Sequence, residues 1–115
     1  MGENVTDATT YEADLESLIN YVKEKSPKAT IVVIGDWWSV DKNEMRKTAA
    51  ANTNVIFVNL EDLIGDKAYQ SSTGIICNKS DGTTITVSEA ASTHPGDEGM
   101  KEIANRIIEA LKNQE

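Results

Sequence analysis

Ala29-Thr30-Ile31-Val32-Val33-Ile34-Gly35 is a β-branched apolar run closed by glycine, and Asn54-Val55-Ile56-Phe57-Val58-Asn59-Leu60 repeats the pattern further along the chain. Apolar runs without polar alternation belong to short strands covered on both faces, as in a parallel sheet. Between them Asp41-x-x-Glu44 opens a helix that continues through Met45, Thr48 and Ala49. A strand, a helix and a strand within about thirty residues predict a βαβ unit with a right-handed crossover, spanning Ala29–Ile34 and Asn54–Leu60.

Working outward, Thr9-x-x-Glu12 reads as a capping box, followed by Tyr11, Leu15, Leu18, Ile19 and Val22 at helical spacing. This helix should end near Lys25, because Ser26 precedes Pro27. Downstream, Asp62 to Tyr69 predicts a short helix, and Gly74 to Val87 an irregular hairpin turning at Ser80-Asp81-Gly82. Met100, Ile103, Ala104, Ile107, Ile108 and Leu111 then line one face of a closing helix.

Two strands make an unusual sheet. Strands apolar on both faces belong to an interior, yet a two-stranded sheet has none, and each strand leaves an edge of backbone N–H and C=O groups open. The expectation is an incomplete sheet in a single partial domain over residues 1–115, beginning at the carboxyl end of a missing strand.

Composition narrows the classes of function. The 115 residues are 39% apolar and carry a net charge of −8, which supports one modest core and disfavours nucleic acid and anionic membrane surfaces, since both are met with clustered Lys and Arg. No apolar run reaches membrane-spanning length and no signal-peptide pattern opens the chain. A single cysteine, Cys77, leaves no internal disulfide, and one cysteine with one histidine makes a poor zinc site. No cofactor is expected, and the compartment stays open.

The one histidine, His94, stands in His94-Pro95-Gly96-Asp97-Glu98-Gly99-Met100, a turn before the closing helix. A neutral imidazole there suits a general base, with Pro95 and Gly96 shaping the turn and Asp97 capping the helix. The same position also suits a surface histidine with no chemical role. Near the other end stands Gly2-Glu3-Asn4. Together, Gly2-x-Asn4 and the His-Pro-x-Asp-x-Gly-Met run resemble the third and fifth sequence blocks of the SGNH (GDSL-like) hydrolases, esterases and lipases with a flavodoxin-like α/β fold. The resemblance covers nearly the whole chain but only the C-terminal half of the family. The blocks bearing the nucleophilic serine and the oxyanion-hole glycine precede Gly-x-Asn in that family and are not found here.

What the resemblance implies can be stated residue by residue. His94 matches the base that accepts the serine proton and returns it to the leaving alcohol. Asn4 matches the asparagine whose amide donates to the oxyanion, and Gly2 the glycine that permits the tight turn beside it; Asn4 also suits an ordinary turn. The family usually carries an aspartate three residues before the histidine, where this chain has Ala91, and often one after the asparagine, where it has Val5. Glu89 or a backbone carbonyl is left to orient the imidazole.

Val32-Val33-Ile34-Gly35-Asp36-Trp37-Trp38-Ser39 superficially resembles the nucleophile block, but Trp37 occupies the serine's place and Ser39 is displaced by two residues. Trp37 and Trp38 follow a parallel strand, where open α/β sheets bind ligands. They either wall an acyl or sugar site or cover the sheet end as core. Glu12, Glu16, Glu98, Glu102 and Glu109 read as solvated helix faces.

Three expectations follow. The first is the C-terminal half of an esterase acting on an acyl ester, with carbohydrate esters as one class, inactive by itself. The second is a non-catalytic module binding a small ligand or a protein. The third is an assembly fragment that pairs as a homo-oligomer or with an N-terminal half of the same domain.

Overall fold

The computed structural model describes residues 7–114, a small mixed α/β chain of three helices and two short sheets. It forms two compact units. One runs up to Ile64 and resumes at Arg106, and the other is Gly65–Asn105.

The first unit holds the predicted βαβ element. Strand β1 (Val32–Ile34) pairs in parallel with β2 (Ile56–Val58), Val33 opposite Phe57. Ile56 N–H donates to Ile31 C=O at 3.3 Å and Gly35 N–H to Val58 C=O at 2.8 Å, so pairing reaches one residue past β1 at each end. Both strands are shorter than the apolar runs suggest. Asn54 belongs to a helix end: its φ is 55°, its N–H donates to Ala51 C=O, and Val55 N–H donates to Ala50 C=O. This is a Schellman turn, for which asparagine substitutes for glycine. At the other limit Leu60 starts a 3-10 turn over Glu61–Leu63, which replaces the longer helix expected across Asp62 to Tyr69.

Helix α1 (Tyr11–Lys25) ends where the Ser-Pro pair predicts. Its start corrects the capping-box reading. Thr10 precedes the first helical residue and makes no side-chain cap, while Asp7 Oδ1 takes the Thr9 N–H. Local Asx bonding therefore outcompetes the box. Helix α2 (Val40–Asn52) begins earlier than Asp41, capped by Ser39, whose Oγ accepts from Lys42 N–H at 3.2 Å. Tyr11, Leu15 and Ile19 of α1 meet Ala49 and Ala50 of α2 over Val33, forming one core on one face of the sheet. Small alanines let α2 approach closely. Gly35 serves the same end, because a Cβ there would run into Asn43 Oδ1 and lie 2.9 Å from Leu60 N.

In the second unit β3 (Ile76–Asn78) and β4 (Thr84–Thr86) form the expected antiparallel hairpin. Gly82 takes φ 83° in its turn, where a side chain would be strained. A 3-10 turn over Glu89–Ala91 follows. Helix α3 (Asp97–Lys112) then runs across the division between the units. Its apolar stripe is continuous as expected, yet Met100, Ile108 and Leu111 stay exposed.

Candidate functional site

His94 is positioned by backbone bonds rather than by packing. Ser88 Oγ and C=O both accept from Ala91 N–H, closing the 3-10 turn, and His94 N–H donates to Ala91 C=O at 3.1 Å. On the other side, Ser71 N–H donates to His94 C=O at 2.9 Å and Gly96 N–H to Tyr69 C=O at 2.9 Å, flanking a bridge between Gln70 and Pro95. Glycine at 96 is required by this close approach, since a Cβ would stand 2.8 Å from Gln70 C=O. Asp97 is the first residue of α3 and not its cap. Gly96 C=O accepts the first helical bond, from Met100 N–H at 2.9 Å. Asp97 and Glu98 nonetheless place negative charge at the helix N-terminus, where the dipole favours it.

The histidine is exposed and lines a depression of about 440 Å³ with Ser71, Cys77, Ala91 and Asp97. Ala91 and His94 belong to the same turn and line the same depression. Ser71 and Cys77 are the nucleophile-bearing side chains that share the depression, and sequence reading missed both. No spacing rule links residues 71, 77 and 94; only the hairpin and the bridge gather them.

The remaining predicted residues fall elsewhere. Gly2 and Asn4 lie outside the described residues. Ser39 belongs to the first unit, where its hydroxyl caps α2. Trp37 is 6% exposed, a core residue, and Trp38 is 39% exposed at the carboxyl end of β1. Glu89 is exposed within the 3-10 turn before His94.

Beneath the tryptophans lies a polar cluster that the sequence did not announce. Asp36, 1% exposed, accepts from Trp38 N–H and Ser39 N–H at 2.8 and 2.7 Å through Oδ2. Its Oδ1 meets the Arg46 guanidinium at 3.0 Å. Arg46 also donates to Tyr11 Oη at 2.8 Å and to the carbonyls of Ile34 and Gly35 at 3.0 and 3.1 Å. Buried Asn43 accepts from Asp36 N–H and donates to Asn59 Oδ1. Burying a carboxylate is tolerable because two amides and a guanidinium replace its water. The cluster fixes the loop carrying Trp38.

Among the described residues, no group of three or more His, Cys, Asp or Glu is arranged to hold a metal ion, and no helix is long and apolar enough to cross a membrane. Comparison with protein-family models, with curated proteins and with solved structures found no match.

Proposed function

We propose that this chain is the C-terminal half of an SGNH-type serine esterase, a flavodoxin-like α/β domain whose remaining strands and nucleophile come from other polypeptide. The observation that carries the reading is the His94-Pro95-Gly96-Asp97-Glu98-Gly99-Met100 run. It resembles the family's base-bearing block, and its histidine stands exposed in a hydrogen-bonded turn at a helix start, on the rim of a depression.

In this reading a serine hydroxyl attacks the acyl carbon while the His94 imidazole takes its proton. The carbonyl oxygen becomes an oxyanion to which the Asn4 amide donates, beside the turn that Gly2 permits. Losing one such donor costs about 3 kcal/mol of transition-state stabilisation. Collapse expels the alcohol, which leaves with the proton from His94, and water then repeats both steps on the acyl-serine to release the acid. Within the first unit Trp38 is the exposed ring at the carboxyl end of β1, where an open sheet takes a ligand, and suits an acyl chain or, by stacking, a carbohydrate ester; Trp37 is buried. Where the family carries an aspartate three residues before the histidine this chain has Ala91, and in this reading a backbone carbonyl or Glu89 orients the imidazole. A second reading, a non-catalytic module for a ligand or protein, is favoured by that same alanine.

Joining this chain to the polypeptide encoded immediately upstream and treating both forms with a fluorophosphonate reporter tests the reading. An activated serine oxygen bonds to phosphorus and fluoride leaves. The joined chain should label at a Gly-Asp-Ser serine, and His94→Ala should abolish labelling. An upstream polypeptide lacking that segment, or labelling that survives His94→Ala, overturns it.

A further inference from the structure

We infer that the depression beside His94 seats an unbranched, uncharged alkyl chain several methylenes long, which in the esterase reading is the acyl chain of the substrate. Calling it an acyl chain rests on that reading; the wall that receives it rests on the register of the β3–β4 hairpin.

Strand alternation sorts the hairpin into two unlike faces. Cys77 stands opposite Ile85, and one step outward Val87 N–H donates to the Ile75 carbonyl at 2.8 Å. Residues two apart share a face, so Ile75, Cys77, Ile85 and Val87 make an apolar one, while Asn78, Thr84 and Thr86 share the other with Ile76. An antiparallel pair that alternates in this way turns its apolar face toward something that covers it. That face stays largely uncovered here, with Ile75 47% and Ile85 58% exposed. Ile75, Cys77 and Val87 line the depression that His94 also lines, and Ala91 extends the apolar surface. The alanine at the family's aspartate position therefore belongs to the wall.

Size, polarity and charge select the occupant. A water takes about 30 Å³ of the liquid, so a depression of about 440 Å³ is far larger than the single methyl of an acetyl group fills, and it falls within the range of small-molecule sites. A sugar needs a partner for each hydroxyl it buries, and Ile75, Val87 and Ala91 offer none. The carbohydrate side of an ester is too polar for this wall, which leaves the acyl side. Asp97 and Glu98, in the first turn of α3, line the depression as well, and none of its described lining residues is Lys or Arg. A chain ending in carboxylate or phosphate would meet like charge. The fit is to a neutral alkyl chain.

The test has two parts. NMR on the 115-residue chain, with hexanamide as an uncharged probe that mimics the acyl half of an ester, should show shifts at Ile75, Cys77 and Val87. Butanamide should bind about four- to sixteenfold more weakly, two- to fourfold for each methylene lost, and the hexanoate anion more weakly than hexanamide. Cys77→Phe puts a good strand former into the depression and should abolish the shifts, and Ile75→Thr should weaken binding about fourfold, both with the far-ultraviolet circular dichroism unchanged. In the chain joined to its upstream polypeptide, kcat/KM for p-nitrophenyl esters should rise about two- to fourfold per methylene from acetate to hexanoate, and Cys77→Phe should flatten that rise. Absence of shifts at Ile75, Cys77 and Val87 overturns the alkyl seat whatever the joined chain does. Hexanoate binding as tightly as hexanamide overturns the choice of an uncharged chain. A rise flattened by Trp38→Ala and untouched by Cys77→Phe moves the acyl chain to the first unit and overturns its place on the hairpin. Shifts without turnover in the joined chain support the alkyl seat and overturn the esterase reading alone.

Discussion

Replacing Arg46 by methionine should destabilise the first unit by about 3 kcal/mol, the low end of the cost of leaving a buried ion-pair partner uncompensated. Methionine keeps the packing of the arginine stem and removes the guanidinium alone. Asp36 loses its 3.0 Å ion pair while 1% exposed, and the Tyr11 hydroxyl, in a residue with no exposed surface, loses its 2.8 Å donor. Two features hold the cost down: Asp36 keeps the Trp38 and Ser39 amides, and Arg46 itself is 14% exposed, so water can reach part of the vacated site. Against a total stability of about 5–15 kcal/mol for a folded domain, such a loss is a large fraction. Urea unfolding followed by tryptophan fluorescence reads it directly, since Trp37 and Trp38 adjoin Asp36 in the chain. The double variant Arg46→Met with Asp36→Asn should be less destabilised than Arg46→Met alone, because it removes the stranded charge. A loss below about 1 kcal/mol for Arg46→Met, the level of an exposed pair, would refute the claim that this cluster holds the sheet end.

Gly96→Ala pushes a methyl group to 2.8 Å from Gln70 C=O, so the bridge to Pro95 should open at a cost of about 1–3 kcal/mol, seen as faster amide exchange at Ser71, whose N–H bonds to His94 C=O. Ser39→Ala should cost about 1 kcal/mol in urea unfolding through loss of the α2 cap, and serine labelling of the joined chain should persist. Arg106 grips Asp62 through both oxygens at 2.6 and 2.7 Å, and these bonds hold the Asp62 carboxyl below its ordinary value of 3.8. The resulting stability is fully present above that value and is lost as pH falls through the lower folded-state pKa. Asp62 is 65% exposed, so the stability gap between native chain and Asp62→Asn should be under about 1 kcal/mol at neutral pH and should close in strong acid.

The parts of the fold readable beforehand are those where residue type alone decides. Val32–Ile34 and Ile56–Val58 follow from β-branched runs, and the β3–β4 hairpin from Asp81-Gly82 at a turn that needs positive φ. Boundaries failed where one residue serves two purposes. Thr9 reads as a cap until Asp7 claims its amide, and Asn54 reads as a strand residue until its left-handed conformation is seen. The position of His94 before a helix was legible, but not its company. Ser71 and Cys77 reach the same depression only through the bridge and the hairpin. Arg46 carries no signal of its role, because nothing in its own neighbourhood in the sequence reveals that Tyr11, Ile34 and Asp36 converge on it. Exposed Leu18 was legible in another sense. Its place in an apolar stripe demands a partner, and the structure leaves it 44% exposed over a groove that it lines with Val22 and Val32.

Hydrolysis of a short-chain chromogenic ester tests the central claim most directly, measured for the 115-residue chain, for the chain joined to its upstream polypeptide, and for His94→Ala in each. The account predicts turnover in the joined chain alone, abolished by His94→Ala. Turnover by the 115-residue chain that disappears with His94→Ala would contradict it, and would move the nucleophile to a hydroxyl or thiol of this chain, with Ser71 and Cys77 the first to be replaced.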